Sequence, residues 1–310
     1  MRSLCCAVLS VAAVVVAPAT AAATTCTPAT LPSLPGVTLS EVTGTDHAGT
    51  YVGRGADAGG PVGLVWQDGQ VARLPDDFVP HDMNDAGLMS GTVSVASFPS
   101  SYQRGALMDL DGGITYLDSG YSVAAAGLNE DGDAVGWVYP QHPVIHYAAA
   151  WPAGTTSAVV LDPTWYVPAD VDDDGLAVGR PQDVTRPQRV WRLDGTVVRD
   201  FPAGTVELAD IDDGVLAAAR GDEVVLIDAE SGAVTVLPGT GTPLEIENGV
   251  VVGTGPAGAT MWRTSGETVL PAPAGMTTRE ATAVNGDGTE VAGVSTTPSG
   301  DAVATVWQCA

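Results

Sequence analysis

The sequence contains no lysine, so arginine alone supplies its twelve basic residues. Thirty-seven carboxylates oppose them and give a formal net charge of -25 at pH 7. A chain this acidic repels nucleic acid and anionic lipid, and we predict neither as a partner. A lysine-free composition rich in Ala, Val, Gly and Asp is also typical of a high-GC genome, so acidity alone does not require a basic partner.

Long apolar runs are missing after the first twenty residues or so. Arg2 precedes a run from Leu4 to Ala17 that is apolar apart from Ser10, and small residues follow at positions 21–23. This order is typical of a secretory signal peptide, so we predict a signal at residues 1–23 and a secreted, extracellular domain over 24–310. An uncleaved anchor is the alternative, but the run is short for a spanning helix. No later run is long enough to cross a membrane, so the mature chain is predicted to have no span.

Cysteine is scarce, with four residues in the chain. Cys5 and Cys6 fall in the predicted signal peptide and leave with it, which retains Cys26 near one end and Cys309 near the other. An oxidising compartment pairs such residues. We therefore predict a Cys26 to Cys309 disulfide.

Helical periodicity is also missing, and the chain instead repeats short β-rich runs. The clearest copy is Leu-Asn-Glu-Asp-Gly-Asp-Ala-Val-Gly at 128–136, with Trp151 fifteen residues after its last glycine. Seven copies occur, and the residues that close them are spaced by 38, 45, 43, 39, 35 and 40. These closing residues are Gly53, Gly91, Gly136, Gly179, Ala218, Gly253 and Gly293.

This period predicts an all-β fold, a seven-bladed β-propeller. Runs of Val, Ile, Thr and Leu separated by Asn-Gly and Asp-Gly turns at a spacing of roughly 40 residues are typical of propeller blades. A single four-stranded sheet cannot bury both faces alone, and stacking blades around an axis solves this. A solenoid has a similar period, so ring closure needs its own argument. We predict one propeller domain over 24–310, monomeric by default.

The two chain ends supply that argument. The seventh copy stops after Trp307 without a last strand, whereas residues 29–32 match residues 72–75 before any complete copy has begun. In this register Cys26 and Cys309 stand where the first copy has its Asp68-Gly69 turn. We therefore predict that the N-terminal strand completes the last blade and that the disulfide replaces the missing turn.

The repeat resembles the extracellular HAF-repeat proteins, which are secreted bacterial proteins with a propeller-like fold. An apolar residue, Asn or Asp, a turn glycine, Val-Gly and a small residue before Trp carry the likeness over most of the mature chain. The His-Ala-Phe that names the repeat is absent, and Val65-Trp66, Ala150-Trp151 and Val190-Trp191 keep its last part. The resemblance implies the fold and export, and it implies no activity.

One acidic turn raises the possibility of a metal. Asp170, Asp172 and Asp174 alternate before Gly175, as in the first part of a calcium loop. Val178 stands where related calcium-binding repeats have another carboxylate, so the ligand set is incomplete. The alternative is an Asx turn whose side chains bond their own backbone. Calcium is the one cofactor that the sequence suggests.

Aromatic side chains are few and fall into two groups. Five tryptophans share one repeat position and are predicted to pack the blades; they are Trp66, Trp151, Trp191, Trp262 and Trp307. Five aromatics outside that register flank the third copy and form a candidate ligand-binding patch for a glycan or protein. They are Trp137, Tyr139, Tyr147, Trp165 and Tyr166, and ordinary inter-blade packing is the alternative for each.

Catalytic signatures are absent, so we predict no catalytic residues. There is no Gly-x-Ser-x-Gly elbow, and both remaining cysteines are predicted to be paired. His142 and His146 have a metal-ligand spacing on a helix, but Pro143 and the β context place them in a loop. We predict a non-catalytic binding or scaffold module for an extracellular protein or glycan. The alternative is a propeller glycosidase or lyase that uses acids at the axial channel beside aromatics.

Overall fold

The computed structural model describes residues 25–97, 100–118, 123–139 and 146–310. The predicted signal peptide at 1–23 and His142 lie outside these residues. Within them the strands form seven antiparallel sheets of four strands each, and a short 3-10 helix spans Pro75–Asp77. No helix in this part of the chain is long and apolar enough to cross a membrane.

Strand β1 (Cys26–Thr30) begins the described chain, and six sheets of four consecutive strands follow it. Blade 1 contains β2 (Leu39–Thr45), β3 (Tyr51–Asp57), β4 (Gly60–Gln67) and β5 (Gln70–Arg73). Blade 2 contains β6 (Phe78–Met83), β7 (Met89–Ser97), β8 (Ser100–Met108) and β9 (Ile114–Tyr116). Blade 3 contains β10 (Val123–Leu128), β11 (Ala134–Val138), β12 (Tyr147–Trp151) and β13 (Val159–Asp162).

The second half of the chain repeats this plan. Blade 4 contains β14 (Tyr166–Val171), β15 (Leu176–Pro181), β16 (Gln188–Arg192) and β17 (Val197–Phe201). Blade 5 contains β18 (Glu207–Asp212), β19 (Val215–Arg220), β20 (Glu223–Asp228) and β21 (Val234–Thr240). Blade 6 contains β22 (Thr242–Glu247), β23 (Val250–Gly255), β24 (Gly258–Arg263) and β25 (Gly266–Val269).

Blade 7 is completed by the N-terminal strand, as the sequence predicts. It contains β26 (Thr277–Val284), β27 (Glu290–Thr296) and β28 (Ala302–Cys309), and β1 pairs antiparallel with β28 as the fourth strand. Cys26 and Cys309 are register partners and form a disulfide with an S–S distance of 2.04 Å. The covalent bond takes the place of the hairpin turn that joins the last two strands of the other blades.

The first strands of consecutive blades contact one another all the way round, including β26 of blade 7 against β2 of blade 1. A solenoid would leave these two strands far apart, so the ring is closed. The predicted seven-bladed β-propeller is confirmed.

The shared tryptophan position packs the blades, also as predicted. All five tryptophans there are at most 1% exposed. A Cβ at Gly179 would lie only 2.8 Å from Cζ3 of Trp191, so the closing glycine leaves room for the tryptophan ring. In blade 5, Ala218 replaces the closing glycine and Ile227 occupies the tryptophan position.

The turn residues behave as the motif predicts. Asp68 and Gly69 have φ of 53° and 72°, the left-handed values that a two-residue hairpin turn needs. Within the opening motif, Oδ1 of Asn129 accepts a hydrogen bond from the Asp133 amide at 2.8 Å. The Asx side chains of the repeat therefore cap their own turns.

Every first strand carries a β-bulge at the same position, and β26 carries a second one at Arg279. In a regular strand, side chains alternate between the two faces, and a bulge breaks this alternation at the residue that follows it. The bulged residues are Thr43, His81, Ala126, Ala169, Ala209, Leu244 and Thr282.

Candidate functional site in the axial channel

The seven first strands enclose an axial cavity of about 540 Å³. Among the described residues, two arginines and two histidines line it together with twelve carboxylates, and no Phe, Tyr or Trp does. The carboxylates are Glu41, Asp82, Asp85, Glu130, Asp170, Asp172, Asp173, Asp210, Asp212, Glu245, Glu247 and Glu280. A concave wall of one charge sign concentrates the electrostatic field, so the channel favours cations.

The residues directly after the bulges form a layer around this channel, which we call the belt. Four of its seven members are acids and three are glycine or alanine. In blade order they are Gly44, Asp82, Gly127, Asp170, Asp210, Glu245 and Ala283.

Three belt acids accept hydrogen bonds from backbone amides of the next blade. In each case the donor is the residue after the next blade's belt position. The bonds join Asp82 to Leu128 N at 2.9 Å, Asp210 to Ile246 N at 2.8 Å and Glu245 to Val284 N at 3.3 Å. A hydrogen bond contributes about 0.5–1.5 kcal/mol net, and more when its acceptor is charged, so these acids hold neighbouring blades together.

The fourth belt acid, Asp170, contacts another carboxyl. Its side chain hydrogen-bonds with that of Asp210 on blade 5. On its other side it lies over Gly127 of blade 3, where a Cβ would overlap Oδ1 of Asp170 and lie 2.7 Å from its Cα. Asp170 therefore fills a space between blades that only glycine leaves open.

Burial raises the pKa of all four belt acids. The pKa of Asp82 rises to about 7, chiefly through burial, with the negative charges of Asp210 and Glu130 adding to it. The pKa values of Asp170 and Glu245 are raised well above the usual range, and that of Asp210 is also raised. Low dielectric and like charges both disfavour the ionised form.

A second acidic layer lies where the first strands end in their turns, and we call it the mouth. It consists of Asp85, Glu130, Asp173, Asp212 and Glu247, with His47 beside them. Burial raises the pKa of Asp212 to about 6 and that of Glu247 to about 8. Neighbouring carboxylates add to both rises, Asp213 at Asp212 and Asp212 at Glu247.

Contacts across the blade seams also order the mouth. The Asp85 amide donates to the Glu130 carboxylate at 3.0 Å, and the Glu130 amide donates to Oδ1 of Asp173 at 2.9 Å. Nδ1 of His47 lies 2.7 Å from Oδ1 of Asp85. The backbone thus fixes the positions of several mouth carboxylates before any ligand arrives.

Arginines lie among the lining residues of blades 1 and 7. Arg54 pairs with Glu41 of the neighbouring strand, and Arg279 pairs with Glu280 at 3.3 Å. Both arginine side chains are more than half exposed. Each arginine neutralises an acid outside the belt and the mouth, which leaves those two layers without an ion pair to arginine among the described residues.

The three residues of the predicted calcium loop lie in different settings. Asp170 belongs to the belt, Asp174 is exposed, and Asp172 is buried with its two oxygens accepting from the Leu176 and Gly214 amides at 2.7 and 2.8 Å. The described residues contain no group of three or more His, Cys, Asp or Glu arranged to hold a metal. Calcium binding at these residues stays a prediction.

Only part of the candidate aromatic patch lies at the surface. Trp165 is 44% exposed, and Trp137 and Tyr139 are half-buried, with their rings 6.0 and 4.2 Å from that of His146. Tyr147, also half-buried, packs against the blade 3 core.

Tyr166 is 2% exposed, and its hydroxyl donates to the Pro187 carbonyl at 2.9 Å. Its ring lies edge-on to Trp191 at 5.3 Å. Tyr166 therefore packs into the core beside the tryptophan position of blade 4, as the packing alternative predicts. Ligand binding by the five aromatics stays a prediction.

Comparison with known proteins identifies the fold and no closer relationship. No family model and no curated protein matches the sequence. The chain is similar to the acylaminoacyl peptidase of Pyrococcus horikoshii, with 11% identity and a TM-score of 0.59 over 88% of this chain and 52% of the peptidase. It is also similar to a chain of the mitotic checkpoint complex, with 13% identity and a TM-score of 0.50 over 96% of this chain and 98% of that one.

A third similar structure is TolB from Acinetobacter baumannii, at 16% identity and a TM-score of 0.45, over 87% of this chain and 63% of TolB. This chain spans about half the length of the peptidase. At such identities the likeness establishes the propeller fold alone, because one fold carries many unrelated functions.

Proposed function

We propose that this chain is an exported, non-catalytic binding propeller that holds a basic segment of a partner protein at the acidic mouth. The observation that carries the proposal is the charge of the channel, where twelve carboxylates face two arginines. Fixed carboxylates at a concave entrance attract cationic side chains and orient them.

Binding is favoured over catalysis by what the channel acids already do. Asp82, Asp210 and Glu245 accept backbone hydrogen bonds across blade seams, so they serve the ring itself. The glycosidase alternative needs acids beside a sugar platform, and no aromatic ring lines the described channel. The carboxylates are compatible with the glycosidase alternative, but the described lining offers no aromatic ring on which a sugar could stack.

An oligoarginine peptide tests the proposal by calorimetry at two salt concentrations. At about pH 9, above the pKa of Glu247, the double variant Glu130→Gln and Glu247→Gln removes two mouth charges and is expected to weaken binding about tenfold. The matched control Asp76→Asn and Asp77→Asn changes the net charge equally at exposed positions of the 3-10 helix. Equal weakening by both double variants would show diffuse attraction and refute a mouth site.

Export and membership of the HAF-repeat type belong to the same proposal. The predicted signal peptide, the resemblance of the repeats and the Cys26 to Cys309 disulfide support them. Intact-mass measurement of the protein from culture medium is expected to show a chain that begins near residue 24 with no free thiol. Retention of residues 1–23 would contradict export by cleavage.

A glycan is the second candidate ligand, and the exposed ring of Trp165 favours it. The Gln182 amide donates to the Trp165 carbonyl at 2.8 Å, and the Gln182 side chain contacts His146, so this loop joins Trp165 to the Trp137 cluster. Val184 of the same loop is 83% exposed. A glycan array probed with the parent and with Trp137→Ala and Trp165→Ala tests this, and unchanged binding in both variants would exclude the patch.

A further inference from the structure

The belt acids form a continuous set of contacts across the blade seams. Asp82 crosses from blade 2 to blade 3, Asp170 lies over blade 3 and contacts Asp210 of blade 5, and Asp210 crosses to blade 6. Glu245 then crosses from blade 6 to blade 7. The seams from blade 2 to blade 7 thus share one kind of side chain.

We propose that the belt is a pH-sensitive clasp, which ties blades 2 to 7 together while it retains protons and loosens these seams as protons leave at rising pH.

The contact between Asp170 and Asp210 requires a proton. Two ionised carboxylates have only acceptors, so a hydrogen bond between them forms only when one is protonated. Asp210 already accepts from the Ile246 amide at 2.8 Å, which suits an ionised acceptor. Asp170 is therefore the donor, and it keeps the proton that joins blade 4 to blade 5.

Among the described residues, the surroundings of the belt supply no cation to replace that proton. Asp170 faces Asp210 and Asp82, and Glu245 faces Asp210, Asp82 and Glu247. Glu130 of blade 3 adds to the charge at Asp82. The positive groups of the channel lie elsewhere: Arg54 and Arg279 pair with other acids, and the pKa of His81 is lowered by burial. The remaining titratable residues of the described lining are His47, Asp85, Asp172, Asp173, Asp212, Glu41 and Glu280.

The direction of the effect follows from proton linkage. A carboxyl with a raised folded-state pKa contributes most to stability below its unfolded pKa of about 4, and the contribution is lost as pH rises through the folded value. For Asp82 that folded value is about 7. Acid is therefore expected to strengthen the clasp, whereas most carboxylates paired with cations respond in the opposite direction.

Thermal unfolding between about pH 5 and about pH 9 tests the clasp. The Tm of the parent is expected to fall across this range by about 5 °C or more. Asp170→Asn keeps a donor for Asp210 but cannot titrate, so its Tm is expected to fall less. Asp174→Asn, an exposed change in the same blade, is expected to match the parent. A parent Tm that is flat or rises with pH, or an Asp170→Asn slope equal to the parent's, would overturn the proposal.

Infrared spectroscopy of the parent gives a readout that needs no variant to fold. The C=O stretching band of a protonated carboxyl is expected at neutral pH and is expected to disappear on titration to about pH 9 or above. Absence of that band at neutral pH would refute proton retention, whatever the variants do. In a folded Asp170→Asn protein the band is expected to be weaker.

Discussion

Two parts of the ring hold their blades together by different chemistry. Around the closure, Thr282 Oγ1 donates to the Val42 carbonyl at 2.8 Å and Thr43 Oγ1 donates to the Pro80 carbonyl at 3.2 Å. These uncharged bonds join blade 7 to blade 1 and blade 1 to blade 2, and the disulfide completes blade 7. Blades 2 to 7 are joined through the belt carboxyls. At the level of the belt, the seam is thus built either without charge or with a titratable group.

The difference has a simple cause in the residue at the belt position. Gly44 and Ala283 have no polar side chain, so the bulged threonines before them supply the bond across the seam. In blades 4 and 5 the bulged residue is alanine, and Asp170 or Asp210 reaches across instead. The type of this side chain decides whether the belt contact of each seam responds to pH.

Removing the disulfide is expected to have the largest effect. The double variant Cys26→Ser and Cys309→Ser frees the ends of a loop of 283 residues, which costs about 5 kcal/mol in the loop-entropy model. Urea unfolding measures this loss, and the variant should be insensitive to reductant while the parent is not. A loss below about 1 kcal/mol would show that the pairing of β1 with β28 completes blade 7 without the disulfide.

Filling the space between Gly127 and Asp170 is expected to have the second largest effect on stability. Gly127→Ala places a methyl against the Asp170 backbone and costs about 2–3 kcal/mol. Gly59→Ala is the matched control, because Gly59 lies in an exposed turn where only the Asp57 carboxylate approaches. Denaturant midpoints measure both variants, and similar midpoints would mean that Asp170 can move away from blade 3 without loss.

Paired variants compare the two kinds of seam directly. Asp82→Ala removes the acceptor for Leu128 N and is expected to cost about 1–2 kcal/mol near pH 5 and less near pH 9, because the raised pKa of Asp82 makes its contribution fall as pH rises. Thr43→Val removes the bond to Pro80 and is expected to cost about 1 kcal/mol at both pH values. Urea unfolding of each variant at both pH values measures this. A pH-independent loss for Asp82→Ala would remove the distinction.

Removing an exposed ion pair is expected to have the smallest effect on stability. Arg192 pairs with Glu230 at 2.9 Å and joins blades 4 and 5 outside the channel, with both side chains about half exposed or more. Arg192→Gln is expected to change stability by less than about 0.5 kcal/mol, since solvent screens such pairs. A larger loss in low-salt unfolding would show that charge outside the channel also joins blades.

Much of the fold could be predicted from the sequence because it repeats locally. The turn glycine, the Asx residue and the tryptophan recur at fixed positions of the repeat, so most copies indicate the same structure. The pairing of Cys26 with Cys309 followed from placing both ends in the register of one complete blade, and the structure confirms it.

The belt could not be predicted in the same way. Its members are separated by about 40 residues and meet only after the ring closes, and the bulge that turns them towards the channel leaves no clear sequence mark. A signal was nevertheless present, because Asp82, Asp170 and Asp210 each stand two residues before the Asx of the turn. Asp170 entered the calcium hypothesis for this reason, but its role depends on Asp210 of another blade.

The position of β1 in blade 7 also has a consequence for biosynthesis. A ribosome releases residues 26–30 among the first of the domain, but their partner strand, Ala302–Cys309, is among the last to emerge. Blades 1 to 6 consist of consecutive strands and can form in order as the chain lengthens. Blade 7 must wait until β28 has been synthesised, and until then β1 has an unpaired edge that invites aggregation. The final step of ring assembly therefore depends on the last strand of the domain.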